Sequence, residues 1–101
     1  MKSITTKQLE EAIKNGEHVN IIDVRENEEV AEGIIPSAEH ISLGNIPHAL
    51  DYFNKDEHYY IICRSGGRSA AACEFLTENG YNVTNVEGGM LAWEGETIKG
   101  K

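Results

Sequence analysis

Apolar residues in this chain fall into short blocks of two kinds, separated by polar and glycine-bearing stretches. His18 to Val24, with Val19, Ile21, Ile22 and Val24, is a compact apolar run of the length expected for a strand covered on both faces. Tyr59 to Ile62, aromatic and β-branched, reads the same way, and Val83 to Val86 predicts a last strand. Shorter strand signals lie at Ile4-Thr5, as an edge strand, and at His40-Ile41-Ser42-Leu43. Between them the spacing changes to that of a helix. Thr6 reads as an N-cap before Leu9, Ala12 and Ile13, and Asn15-Gly16 stops that helix. Ile46, Leu50 and Phe53 recur at helical spacing after Gly44-Asn45, with Pro47 acceptable in a first turn. A third helix runs through Ala70, Phe75 and Leu76 to a glycine stop at Asn79-Gly80. The acidic run Glu26-Asn27-Glu28-Glu29 suits the solvated first turn of another. The alternation predicts an α/β fold with a mostly parallel central sheet flanked by helices on both faces.

Composition narrows the functional classes. At 101 residues, 40% hydrophobic and 26% charged, the chain reads as one domain over 1–101, with a core of about 6–93 and a polar, frayed tail at 94–101. Seventeen acidic residues against nine Lys and Arg give a formal charge of −8, which argues against nucleic acid and against anionic membrane surfaces. The N-terminal residues lack the apolar core of a signal peptide, and no apolar run is long enough to span a bilayer, so a cytoplasmic location is expected. Two cysteines, Cys63 and Cys73, fit neither a disulfide scaffold nor a zinc ribbon. The four histidines, His18, His40, His48 and His58, show no i, i+4 ligand pair; no metal and no cofactor are expected.

The chemistry concentrates after Tyr59-Tyr60-Ile61-Ile62, in Cys63-Arg64-Ser65-Gly66-Gly67-Arg68-Ser69, immediately before the Ala-rich helix. A short loop with Gly66 and Gly67 free to take positive φ turns its backbone N–H groups toward a common point, and the helix N-terminus adds its own. Such a site favours an anion and lowers a cysteine pKa, with Arg64 and Arg68 pushing the same way. This segment resembles the active-site loop of the rhodanese family of sulfurtransferases, in which a cysteine opens a six-residue loop, here Cys63 to Arg68. Cysteine phosphatases generally place their arginine six positions after the nucleophile, whereas Arg68 is five after Cys63. The loop is thus sized for a persulfide sulfur rather than a phosphate.

Two further segments carry the resemblance. Asp23-Val24-Arg25 is followed by acids and by Gly33-Ile34-Ile35-Pro36-Ser37-Ala38, similar to the family's Gly-His-Ile-Pro-Gly-Ala, with Ile34 and Ser37 in place of the histidine and the second glycine. Gly88-Gly89-Met90-Leu91-Ala92-Trp93 is similar to a C-terminal segment that starts a short helix beside the loop. The resemblance implies a rhodanese-like domain in which Cys63 takes a sulfur from a small anionic donor, thiosulfate, a polysulfide or a protein persulfide. Cyanide, a thiol or a sulfur-carrying protein then accepts it. The persulfide would sit among the N–H groups of Arg64, Ser65, Gly66, Gly67, Arg68 and Ser69.

Asp23 and Arg25 fall at the carboxyl end of a strand, the edge where Cys63 emerges. Asp23 reads first as a buried carboxylate bonded to backbone N–H groups or to an arginine, ahead of direct catalysis, and is the candidate carboxylate that braces Arg68. Arg25 either pairs with the acids after it or faces the pocket as an anion clamp. Trp93 reads as core packing ahead of substrate contact, and Cys73 as a small apolar residue on a helix ahead of a resolving cysteine. Two other classes stay open: a non-catalytic rhodanese-shaped binding or sulfur-relay module, and a cysteine phosphatase or arsenate reductase.

Overall fold

The computed structural model describes residues 1–100. Its strands are β1 (Ser3–Thr5), β2 (Ile21–Asp23), β3 (Ala38–His40), β4 (His58–Ile62) and β5 (Asn82–Glu87). Its α-helices are α1 (Thr6–Lys14), α2 (Asn27–Glu32), α3 (Gly67–Glu78) and α4 (Gly89–Ala92). All four strand pairings are parallel, in the order β1-β5-β4-β2-β3. None of the described helices is long and apolar enough to cross a membrane.

The two-residue period of the strands sorts the core into two layers. Ile22, Tyr59, Ile61, Cys63 and Val83 pack with Ala72, Cys73 and Leu76 of α3 on one face. Ile21, Ile62 and Val86 pack with Leu9 of α1, flanked by Met90 and Trp93, on the other. Helices therefore cover both faces. Ile22, Ile61, Ile62 and Leu76 are fully buried, each stabilising the fold by about 1.5–3 kcal/mol relative to exposure.

Several local expectations are corrected. The N-cap of α1 is Thr5, because the residue three places on is Gln8: Gln8 N donates to Thr5 Oγ1 at 3.1 Å and Thr5 N to Gln8 Oε1 at 3.0 Å. Thr6 is already helical, and its hydroxyl donates to the Ala92 carbonyl. The apolar run from His18 pairs only over Ile21–Asp23, and the third strand begins earlier, at Ala38. Ile46, Leu50 and Phe53 lie on or beside two 3₁₀ turns, Leu43–His48 and Leu50–Tyr52, since Gly44, Asn45 and Pro47 are poor α-helix formers. The C-terminal segment is docked rather than frayed: Ile34 and Ile98 exchange backbone hydrogen bonds of 2.8 and 2.9 Å in an antiparallel bridge.

Candidate functional site

Strand β4 runs straight into Cys63, which is 1% exposed, and α3 begins four residues later. The turn between them is possible because Gly66, the N-cap, has φ +113°, a conformation that L side chains rarely adopt. Gly67, Arg68 and Ser69 already belong to the first helical turn, so the free loop is shorter than the six residues read from the sequence.

Helix α4 sets the direction of that loop. Met90 N donates to Cys63 O at 2.8 Å and Leu91 N to Arg64 O at 3.0 Å. In a trans peptide the carbonyl and the following N–H point in opposite directions, so drawing these carbonyls toward α4 turns the next N–H groups away from it. The close approach needs Gly89, at φ +56°, where a Cβ would collide with the Cys63 and Arg64 carbonyls.

At the centre, Gly66 N–H donates to Cys63 Sγ at 3.0 Å, and Ser69 Oγ lies 3.3 Å from the same sulfur. Burial alone would raise the Cys63 pKa. The Ser69 hydroxyl and the backbone N–H groups of Ser69, Gly66 and Ser65 outweigh it, leaving the thiol below its ordinary value. Cys73, one helical turn further along α3, is the opposite case: burial, with the negative charge of Cys63 adding to it, pushes it up to about 12. The chain thus has one activated and one inert cysteine.

The charged residues are arranged differently from the expectation. Asp23 does not reach Arg68. It pairs with Ile62 in the sheet and so shares the face of α1 and α4, whereas Arg68 stands on α3 on the other face. Asp23, fully buried, instead accepts from Arg25 Nε at 3.0 Å, from Arg25 Nη2 at 2.8 Å and from Arg25 N at 3.0 Å. Arg25 pairs with Asp23 and not with the acidic side chains after it. Two of its other guanidinium N–H groups go to the Gly33 carbonyl at 2.7 Å and the Glu29 carbonyl at 3.3 Å, which ties β2 to α2.

The carboxylate that braces Arg68 is Glu29, bidentate at 2.6 and 2.8 Å. The Arg68 guanidinium holds the Glu29 carboxyl down to about 2. Sequence reasoning placed Glu29 in a solvated helix turn and among the acids open to Arg25, and did not connect it with Arg68. The available signal was its spacing from Glu26, whose N–H donates to Glu29 Oε1 at 2.9 Å. Also unassigned was Asn85, a polar residue buried in β5 directly under the loop, where its Nδ2 lies 3.4 Å from Gly66 O.

Arg64 is exposed, and its side chain has no partner among the described residues. It borders a groove of about 370 Å³ with Arg25, Glu29, Met90, Leu91 and Thr97. Trp93 is half-buried on the far face of the sheet from Sγ and donates its indole N–H to the Glu96 carbonyl at 3.1 Å.

The pattern described by the term rhodanese-like domain matches residues 5–96 of this sequence, a span that includes Asp23, the cysteine loop and the Gly-Gly-Met-Leu-Ala-Trp helix. The chain belongs to the rhodanese-like domain family. This rhodanese-like domain is 54% identical over 97 residues to the Bacillus subtilis protein YtwF, named provisionally as a sulfurtransferase, covering 96% of this chain and 94% of that one. It is 36% identical over 94 residues to an Allochromatium vinosum protein named sulfurtransferase, covering 92% and 88%. The crystal structure of a Staphylococcus aureus rhodanese-like domain protein superposes with a TM-score of 0.94 at 47% identity, over the full length of both chains.

Proposed function

We propose that this rhodanese-like domain is a sulfurtransferase in which Cys63 carries the transferred sulfur as a persulfide. The observation that supports this most is the coordination of Cys63 Sγ, with Gly66 N–H at 3.0 Å and Ser69 Oγ at 3.3 Å around a sulfur whose thiolate is favoured. The Cys63 thiolate attacks the outer sulfur of a sulfane donor such as thiosulfate, a polysulfide or a protein persulfide. A new S–S bond forms, the donor's own bond to that sulfur breaks, and its electron pair leaves with the remainder, which is sulfite in the case of thiosulfate.

The negative charge now sits on the outer sulfur, beside N–H groups already oriented to receive it. Cyanide, a small thiol or the cysteine of a sulfur-carrying protein then attacks that outer sulfur. The Sγ–S bond breaks and its electrons return to Cys63 as thiolate, which completes the cycle without a net redox change. Arg64, cationic and unpaired, draws the anionic donor toward an otherwise acidic protein. Arg68, held by Glu29, keeps the first turn of α3 in place. A reducing, cytoplasmic setting would keep Cys63 available.

The test is the intact mass of wild-type protein and of Cys63→Ser after incubation with thiosulfate or polysulfide, before and after cyanide. The expected result is one added sulfur on the wild type, removed by cyanide, and none on Cys63→Ser, with no hydrolysis of an aryl phosphate by either. Absence of loading from every donor would overturn the reaction and leave a binding module of the same shape.

A further inference from the structure

The carbonyl oxygen of Gly66 is approached by three donors: Ala70 N at 3.1 Å, Ser69 Oγ at 3.1 Å and Asn85 Nδ2 at 3.4 Å. A carbonyl oxygen has two lone pairs, and the Asn85 amide makes the long, weak contact of the three. The Ser69 hydroxyl has a single proton and two acceptors within reach, Gly66 O and Cys63 Sγ.

These facts link the ionisation of the sulfur to Asn85. While Cys63 is a thiol, its S–H can donate to Ser69 Oγ, which leaves the Ser69 proton free to rest on Gly66 O. When the thiol proton leaves to a solvent base, the sulfur becomes acceptor-only, and the Ser69 O–H turns onto it. Gly66 O then keeps Ala70 N and lacks a second close donor. Asn85 stands directly there. It lies on β5 two residues from Val83, on the face covered by α3; it is 8% exposed, and its Oδ1 has no partner. An apolar side chain would fill this position with no unpaired oxygen, so packing does not account for the amide.

We propose that Asn85 is a positioning residue for the Cys63 thiolate: its amide takes over the Gly66 carbonyl when the Ser69 hydroxyl turns to the sulfur, holding the Gly66–Gly67 peptide at the start of α3 in place around Sγ. This rests on the reading that Cys63 acts as a thiolate. The charged and titratable groups on the elements packed around the loop are Arg64 before α3, Arg68, Cys73, Glu74 and Glu78 on α3, Glu26 at the cap of α2 with Glu28, Glu29 and Glu32 on it, His58, Tyr59 and Tyr60 on β4, and Asp23 with Arg25 at the end of β2. Helix α4 and the buried part of β5 carry none. Replacing Asn85 by a neutral residue alters no charge among them.

The test is the pH dependence of Cys63 alkylation by iodoacetamide, read by mass spectrometry in wild type, Asn85→Leu, Ser69→Ala and the double variant. Asn85→Leu is expected to lower the thiolate fraction about tenfold, a rise of about one pKa unit, with no such rise when the change is made in the Ser69→Ala protein. An unchanged Cys63 pKa in folded Asn85→Leu overturns the proposal. So does an equal shift in both backgrounds, which would mean that the amide merely supports the loop. If Asn85→Leu does not fold, Asn85→Ser, too short to reach Gly66 O, is measured in the same way. Sulfur loading is not read in this experiment. A coupled shift in a protein that never loads therefore rejects the reaction and not the role of Asn85.

Discussion

The Glu29 carboxylate grips the Arg68 guanidinium through two bonds of 2.6 and 2.8 Å, joining α2 to the first helical turn after Cys63. Both side chains are about a third exposed, so solvent screens the pair and its contribution to stability is about 1 kcal/mol or less. Its pH dependence has a definite sign. The Glu29 pKa is lowered on folding, from 4.5 to about 2, so its stabilisation is complete above 4.5 and is lost as pH falls toward 2. Urea unfolding of wild type and Glu29→Gln should differ at pH 7 and converge by about pH 2. A constant difference across that window would exclude the pair as its source.

The two cysteines should separate cleanly in alkylation. Cys63 is expected to react at a rate that levels off below the pH of an ordinary thiol, about 8.5. Cys73, pushed up to about 12, should stay unmodified in folded protein at pH 9 and react only on unfolding. Peptide mapping after iodoacetamide treatment distinguishes them, and equal labelling of both in native protein would contradict the geometry.

Removal of the Asp23 carboxylate strands a buried guanidinium. Asp23→Ala should cost about 3–5 kcal/mol in chemical denaturation, because Arg25 is 6% exposed and loses the one carboxylate it pairs with among the described residues. The fraction that remains folded should still load sulfur, since Asp23 lies on the opposite face of the sheet from Sγ. Loss of loading in fully folded Asp23→Ala would show that the pair acts on the chemistry directly.

Gly89→Ala tests the contact between α4 and the loop. The added Cβ meets two carbonyls of the loop at a positive φ, so a loss of about 2 kcal/mol or more in stability is expected. Persulfide formation should slow with it, because Met90 N and Leu91 N would no longer hold the Cys63 and Arg64 carbonyls. Wild-type stability and loading in this variant would remove α4 from the account of the loop.

Much of this was legible in the chain itself. Short apolar blocks alternating with helical spacing gave the α/β architecture, because a strand buried on both faces needs continuous apolar residues and a covering helix needs only a stripe. Cys63 with Gly66 and Gly67 before an Ala-rich helix marked the site, because few local structures other than a tight turn use those residues in that order. These signals are local and act over a few neighbouring residues. Which carboxylate meets which arginine was not legible. Asp23 and Glu29 are both acids near the sheet edge, and only strand parity puts Asp23 on the face away from α3 while α2 carries Glu29 across to Arg68. The docking of Ile98 on Ile34 and the position of Asn85 beneath Gly66 likewise join segments distant in sequence. Such pairings depend on the three-dimensional register of the sheet, and no pattern within a single segment encodes it.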